Sequence, residues 1–298
     1  MRLLSFSLLA LACSVFAAPL EDVEPCGTHI SSEQLRVVEK ENLRKLNDTA
    51  GLTEDDLSKR AATILVSWNS IAETAGGKGY VTDAQIADSK SNPHPPSLPF
   101  LAGKKRLVRL IDAKLEWNRW NVAISKLNAS FLGSGFTFVL SQKRKWVQAA
   151  WFNGNKNSAE EKAMKKYLRV GDIQTLNIYT TNFGELNPKL LGHSTFPWDY
   201  NAQTAYLDGV VVKYVAVSGG SATNWNQGAV FVHEVGHWLG LYHTFQGGCV
   251  DGGHGGDYVT DTPAQADSTS GCPAAAPDTC PNLPGPDPIH NFMDYTYD

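Results

Sequence analysis

Hydrophobic positions fall into short, separated groups along this chain, and their spacing changes from one group to the next. Leu3 to Phe16 is an apolar run behind the single positive charge of Arg2. Residues 18–60 are polar and acidic, with helix-like stretches such as "SSEQLRVVEKENLRKL", and they end in the dibasic pair Lys59-Arg60. The apolar run "AATILVSW" then predicts a strand, and the Pro-rich "SKSNPHPPSLPFLAG" (89–103) predicts a loop. "RWNVAISKLNASF" has helical spacing, and "GFTFVL" alternates as a strand does. "SAEEKAMKKYLRVG" reads as a helix with a capping box from Ser158 and Glu161 and a stop at Gly171. Strands are expected at "TLNIYTT" (175–181) and "GVVVKYVAV" (209–217), followed by a helix in "NWNQGAVFVHEVGHWLG". Beyond His243, Gly, Pro, Asp and Thr dominate and periodicity disappears. The order predicts an α/β or α+β sheet domain followed by a loop-rich lobe.

The 298 residues, 42% hydrophobic and 19% charged, suffice for a globular core. A net charge of −4 offers nucleic acid no electrostatic footprint. The basic cluster Lys104, Lys105, Arg106, Arg109 reads as a solvated run. The N-terminal run is shorter than the roughly 20 residues of a spanning helix. With small residues at Val15 and Ala17 it reads as a signal peptide cut after Ala17. The expected product is secreted, carries no membrane anchor and acts as a monomer. The dibasic pair divides it into a propeptide, 18–60, and a catalytic domain, 61–298. In an oxidising compartment Cys26, Cys249, Cys272 and Cys280 can pair. Asn47 and Asn128 head N-glycosylation sequons.

The chemistry concentrates in "VHEVGHWLGLYHTF", Val232 to Phe245. His233 and His237, four apart on a helix, project from one face, with Glu234 about 100° round. Phe231, Val235 and Leu239 form the apolar stripe opposite. Gly240 permits a left-handed exit that swings His243 back toward the other two rings. Three neutral imidazoles suit one Zn2+ and leave a fourth position open, which marks a catalytic site. Glu234 is then placed to take a proton from water there. The full H-E-x-x-H-x-x-G-x-x-H pattern is expected by chance in on the order of one such chain in ten thousand.

"HEVGHWLGLYH" with the later "NFMDY" resembles the metzincin zinc endopeptidases. "HTFQGGC", "DTP" and "DPIHNFMDYTYD" are similar to the pappalysin-like family, in its secreted fungal extracellular metalloprotease branch. The resemblance is strong from about Phe131 to Asp298. It implies a twisted, mostly parallel sheet with two main helices above a cleft, an irregular lower lobe, and cleavage of protein or peptide substrates. It assigns Met293 to a methionine turn beneath the metal and Tyr295 to the oxyanion. An edge strand, taken as 209–217, would bind substrate backbone. "PCGTH" is similar to a propeptide motif, so Cys26 has two readings: a thiolate on the zinc of a zymogen, or a disulfide with a C-terminal cysteine. The resemblance further implies a Cys249–Cys280 bridge and a partner for Cys272 beyond Asp298. Asp257, Asp261 and Thr262 are either oxygen ligands for Ca2+ or an ordinary Gly/Asp turn.

The chain departs from the family in two places. It stops five residues after Met293, and residues 89–118 look inserted. The rival to an active peptidase is therefore a secreted zinc-binding pseudoenzyme, inactive through truncation.

Overall fold

A computed structural model of the chain describes residues 25–31, 33, 34, 37, 38, 40, 62–75, 77–79, 120–184, 188–250 and 256–297. The expected signal peptide, Asn47, the dibasic pair and the 89–118 insertion lie outside these residues.

Strand β1 (Ala62–Ala72) begins with Thr63, Ile64 and Val66, whose branched side chains suit extended backbone. It runs parallel to β2 (Phe136–Val147) on one side and to β3 (Thr175–Thr181) on the other. β4 (Gly192–Ser194) and β5 (Val210–Lys213) complete a five-stranded sheet in the order β2-β1-β3-β5-β4, with only β4 antiparallel. One register shift falls between Val66 and Ser67, where β2 carries the extra residue Ser141. Its hydroxyl donates to the Val66 carbonyl at 3.0 Å, satisfying a group beside the break in the ladder.

The helices are α1 (120–130), α2 (Ala149–Phe152), α3 (Ala159–Leu168) and α4 (Ala229–Trp238). The two-residue period of the strands divides them into two cores. Leu176, Ile178, Val210 and Val212 pack with Trp120, Leu127, Phe231 and Val235 from α1 and α4. Tyr179, Val211 and Ile71 point the other way, onto Phe152, Met164 and Leu168 from α2 and α3. Each such side chain, fully removed from water, stabilises the fold by about 1.5–3 kcal/mol. Asn128 ties α1 to β2: its Nδ2 donates to the Phe138 carbonyl at 2.9 Å and its Oδ1 accepts from Phe138 N at 2.8 Å. Among the described residues no helix is long and apolar enough to cross a membrane.

Three expectations change. The strand expected at 209–217 ends at Lys213, and β5 is paired on both sides, so it is not an edge. The sheet's edges are β2 and β4, and the three residues of β4 are too few to register as a sequence period. The predicted capping box is half formed. Ser158 accepts from Glu161 N, but Glu161 Oε2 accepts from Asn157 N instead of Ser158 N. The helix also stops at Leu168, and Gly171, at φ 74°, shapes the turn after it.

Beyond α4 the lobe is irregular, held by the short parallel pair β6 (Ser270–Gly271) and β7 (Tyr295–Thr296) and by the Cys249–Cys280 disulfide. Cys272 is exposed and outside that bond.

Glu161 turns away from its cap because it is the centre of a buried ionic cluster. Lys165 Nζ lies 3.0 Å and His193 Nε2 3.4 Å from Glu161 Oε1. Burial alone would raise the Glu161 carboxyl, but Lys165 and His193 hold it below the usual carboxylate range. A carboxyl depressed in this way contributes its full stabilisation above its ordinary value of 4.5 and loses it as pH falls below that. Glu161→Gln leaves Lys165 buried without its counter-charge, at an expected cost of about 3–5 kcal/mol near pH 7. Thermal melts from pH 7 to pH 3 should show a lower but flatter profile for the variant than for the parent.

Candidate metal centre and active site

Helix α4 presents His233, Glu234 and His237 on the cleft side while Phe231 and Val235 bury themselves in the sheet core. It ends at Trp238 in a left-handed turn. Gly240, at φ 103°, donates to His237 O at 2.9 Å, and Leu241 N donates to Gly236 O at 2.9 Å. This exit does two things. It carries His243 back to the helix, and it brings the Leu241 carbonyl within 2.7 Å of His237 Nδ1.

The rings converge as the spacing predicts. His237 Nε2 is 3.1 Å from both His233 Nε2 and His243 Nε2. The tautomers follow from chemistry. A carbonyl only accepts, so His237 Nδ1 donates to Leu241 O, and His233 Nδ1 donates to Phe292 O at 2.6 Å. Burial pushes the His233 imidazole down to about 4, against the opposing Phe292 carbonyl, and drives His237 and His243 well below their ordinary range. For His233 and His237, neutral rings with Nδ1 protonated turn bare Nε2 lone pairs toward one point, where His243 Nε2 meets them. Such lone pairs repel one another at this range, and a cation between them removes the repulsion. Zinc–nitrogen bonds of about 2.0–2.1 Å at tetrahedral angles place nitrogens about 3.3 Å apart, close to the spacing found. The donor set fits zinc.

Cys26 supplies a fourth donor. Its Sγ lies 3.4 Å from His237 Nε2, and the four ligand atoms all lie within 4.8 Å of one another. Cys249 and Cys280 bond each other, and Cys26 is buried in the cleft with its thiol outside any disulfide. Residues 25–27 lie along the outer side of β4: Gly27 N donates to Gly192 O at 2.9 Å and Leu191 N to Pro25 O at 2.8 Å. Thr28 Oγ1 donates to Glu234 Oε2 at 3.1 Å, while Glu234 Oε1 is buried with no hydrogen-bond partner among the described residues. Burial pushes the Glu234 carboxyl up to about 8, against its bonds to Cys26 and Thr28 and the charge of Lys156. Burial likewise raises the Cys26 thiol, with Glu234 adding to the effect. A divalent cation among these donors reverses both tendencies.

Tyr295 is buried, with its Oη 3.2 Å from His243 Nε2. Met293 lies under α4, and Thr244 N donates to its carbonyl at 3.2 Å. Asp294 fixes that turn by accepting from Thr269 N at 2.9 Å and Gln265 Nε2 at 3.1 Å. Asp257, Asp261 and Thr262 stand apart. Asp257 is buried and accepts from Val259 N at 3.0 Å, in a turn closed by Thr262 N on Val259 O, and Asp261 is exposed. Burial raises the Asp257 carboxyl to about 6, against its hydrogen bonds from Val259 and Thr262. Among the described residues, the His/Cys/Asp/Glu group that gathers as a metal site is the His/Cys set.

Two glycines of the site carry no chemistry of their own and escape a sequence reading. A Cβ at Gly192 would come within 2.6 Å of Glu234 Oε1, and one at Gly236 within 2.4 Å of Met293 Sδ. Thr28 and the carbonyls of Phe292 and Leu241 are equally silent in sequence.

A mostly parallel sheet above a buried three-histidine cluster, with a methionine turn beneath it, defines a zinc metalloendopeptidase of the metzincin type. Residues 171–297 match the peptidase M43 family model, described as pregnancy-associated plasma protein-A. An extracellular metalloprotease of Podospora anserina is 36% identical over 310 residues, 99% of this chain and 90% of that protein. One from Neurospora crassa is 34% identical over 307 residues, 100% of this chain and 90% of that protein. A mutant of Tannerella forsythia promirolysin shares the fold, with a TM-score of 0.52 at 24% identity over 92% of this chain and 87% of the other. The chain belongs to the peptidase M43 family of extracellular metalloproteases.

The exit turn is the most exacting local feature of the centre. Gly240→Ala forces an L-residue to φ 103°, where the strain is about 1–2 kcal/mol. We expect a melting temperature several degrees lower and weaker zinc retention, read by elemental analysis after dialysis against a mild chelator.

Proposed function

We propose that this chain is a secreted zinc endopeptidase in which Glu234 is the general base and a leader, residues 18–60, keeps the site silent through Cys26. The observation that carries the reading is the convergence of three Nε2 atoms beside a buried carboxylate oxygen without a partner. Zinc held by His233, His237 and His243 would supply a Lewis acid for water and for the scissile carbonyl.

The remaining work falls to the chain's own groups. Glu234 Oε1 takes the proton from the attacking water and later delivers it to the leaving amine. Tyr295 Oη donates a hydrogen bond to the oxygen that becomes negative in the tetrahedral intermediate. Met293 and Gly236 set the floor on which the histidines rest. Before activation, Cys26 fills the fourth corner and Thr28 occupies Glu234 Oε2. The leader also holds the backbone groups of Leu191 and Gly192 at the β4 edge. Departure of the leader, by cleavage after Arg60, frees that edge for an extended peptide to pair with.

Two substitutions test this. In the leader-free, zinc-loaded protein, Glu234→Ala should lower casein hydrolysis by about 10²–10⁴-fold while elemental analysis still finds one zinc per chain. Retained hydrolysis would remove Glu234 from the mechanism, and a parent that holds zinc yet cleaves nothing would favour the pseudoenzyme. In the uncleaved chain, Cys26→Ala should release activity without processing; a variant as silent as its parent would exclude Cys26 as the block.

A further inference from the structure

The leader does more in the cleft than present a thiol. Four residues past Cys26, Ile30 is buried against Phe196 and Tyr242, with Val38 and Trp198 packed around them. These aromatic rings form one surface. Phe196 and Trp198 stack at 4.5 Å and 15°, and Tyr242 lies 5.8 Å from Phe196 and 5.6 Å from Trp198. The inner end of this shelf touches the metal centre, since the Phe196 ring lies 5.3 Å from the ring of His237. The outer end is seated on the helix exit, where Gly240 faces Trp198 and Pro197 closely enough that a Cβ would lie 3.6 Å from each. The shelf is therefore built by the same turn that delivers His243.

We propose that the Phe196–Trp198–Tyr242 shelf is a substrate subsite that selects an aliphatic or aromatic side chain near the scissile bond. The proposal rests on the reading above that the leader departs. When Ile30 leaves, an apolar surface is uncovered along the line that an extended peptide follows on β4, and an aliphatic side chain is the occupant it already accommodates. Extended residues advance about 3.3 Å each, so the selected side chain lies within about four residues of the cut. It lies on one side only. At the other end of the cleft, beside Pro25, is a separate cavity of about 200 Å³ lined by Val230, His233, Glu234 and Phe292 among others. The rings could also attract a cation, which makes arginine or lysine the competing preference.

The test uses the activated, zinc-loaded protein on a peptide library. We expect Ile, Leu, Val or Phe to be enriched at one fixed position within four residues of the cut. For matched peptides the leucine-to-glycine ratio of kcat/KM at that position should be about tenfold, and Trp198→Ala should bring it toward one while preferences elsewhere persist. No enrichment, enrichment of arginine or lysine, or an unchanged ratio in Trp198→Ala would overturn the proposal. A second measurement alters no enzyme residue and needs no turnover. Calorimetry of the synthetic heptapeptide 25–31 should show about tenfold weaker binding when Ile30 is replaced by glycine, and equal binding would also overturn it. A parent that binds the heptapeptide in this Ile30-dependent way but hydrolyses nothing counts against the catalytic reading and leaves the shelf standing.

Discussion

The Nε2 atoms of His233 and His243 each lie 3.1 Å from His237 Nε2 in a buried cleft, an arrangement that needs support from its surroundings. Their mutual repulsion is opposed by two backbone carbonyls, Phe292 and Leu241, each gripping the far nitrogen of a ring. Both carbonyls come from irregular segments, one from the methionine turn and one from the helix exit. Much of the lower lobe can be understood as support for those two oxygens. Gln265 links Thr244 to Asp294, Asp294 pins residue 269, and Cys249–Cys280 closes the lobe. A divalent cation held there would turn the same repulsion into coordination and so couple metal affinity to folding of this lobe.

Residues 25–30 meet the cleft through several kinds of contact. They place a thiol beside the three histidines, a hydroxyl on Glu234, three backbone bonds along β4 and an isoleucine on the aromatic shelf. Lys156 adds a contact to the Gly27 carbonyl. Each contact is modest alone, but tethering within one chain makes them act at high effective concentration. In the proposed zymogen, cleaving the tether would remove that advantage without altering any contact.

The buried Glu161–Lys165–His193 cluster lies behind the same edge strand. His193 belongs to β4, so the contacts of Glu161 that fix α3 also fix the strand along which residues 25–27 lie. Edge geometry and sheet stability are therefore joined through one carboxylate.

The amino-acid pattern alone determined the metal helix, its apolar face, the glycine exit and the identity of the three nitrogen donors, because a 3.6-residue period and one left-handed glycine are local rules. Strands β1 and β3 and helix α3 were likewise legible from period and caps. The tertiary structure alone decided that β4 forms the edge on the β5 side, because it is three residues long and its place depends on what β5 pairs with. It also brought Cys26 beside His237, 211 residues away in sequence, a juxtaposition no local pattern carries. The roles of Gly192, Gly236 and Thr28 were hidden for the same reason. Each is defined by a neighbour distant in sequence, and no local period carries that information.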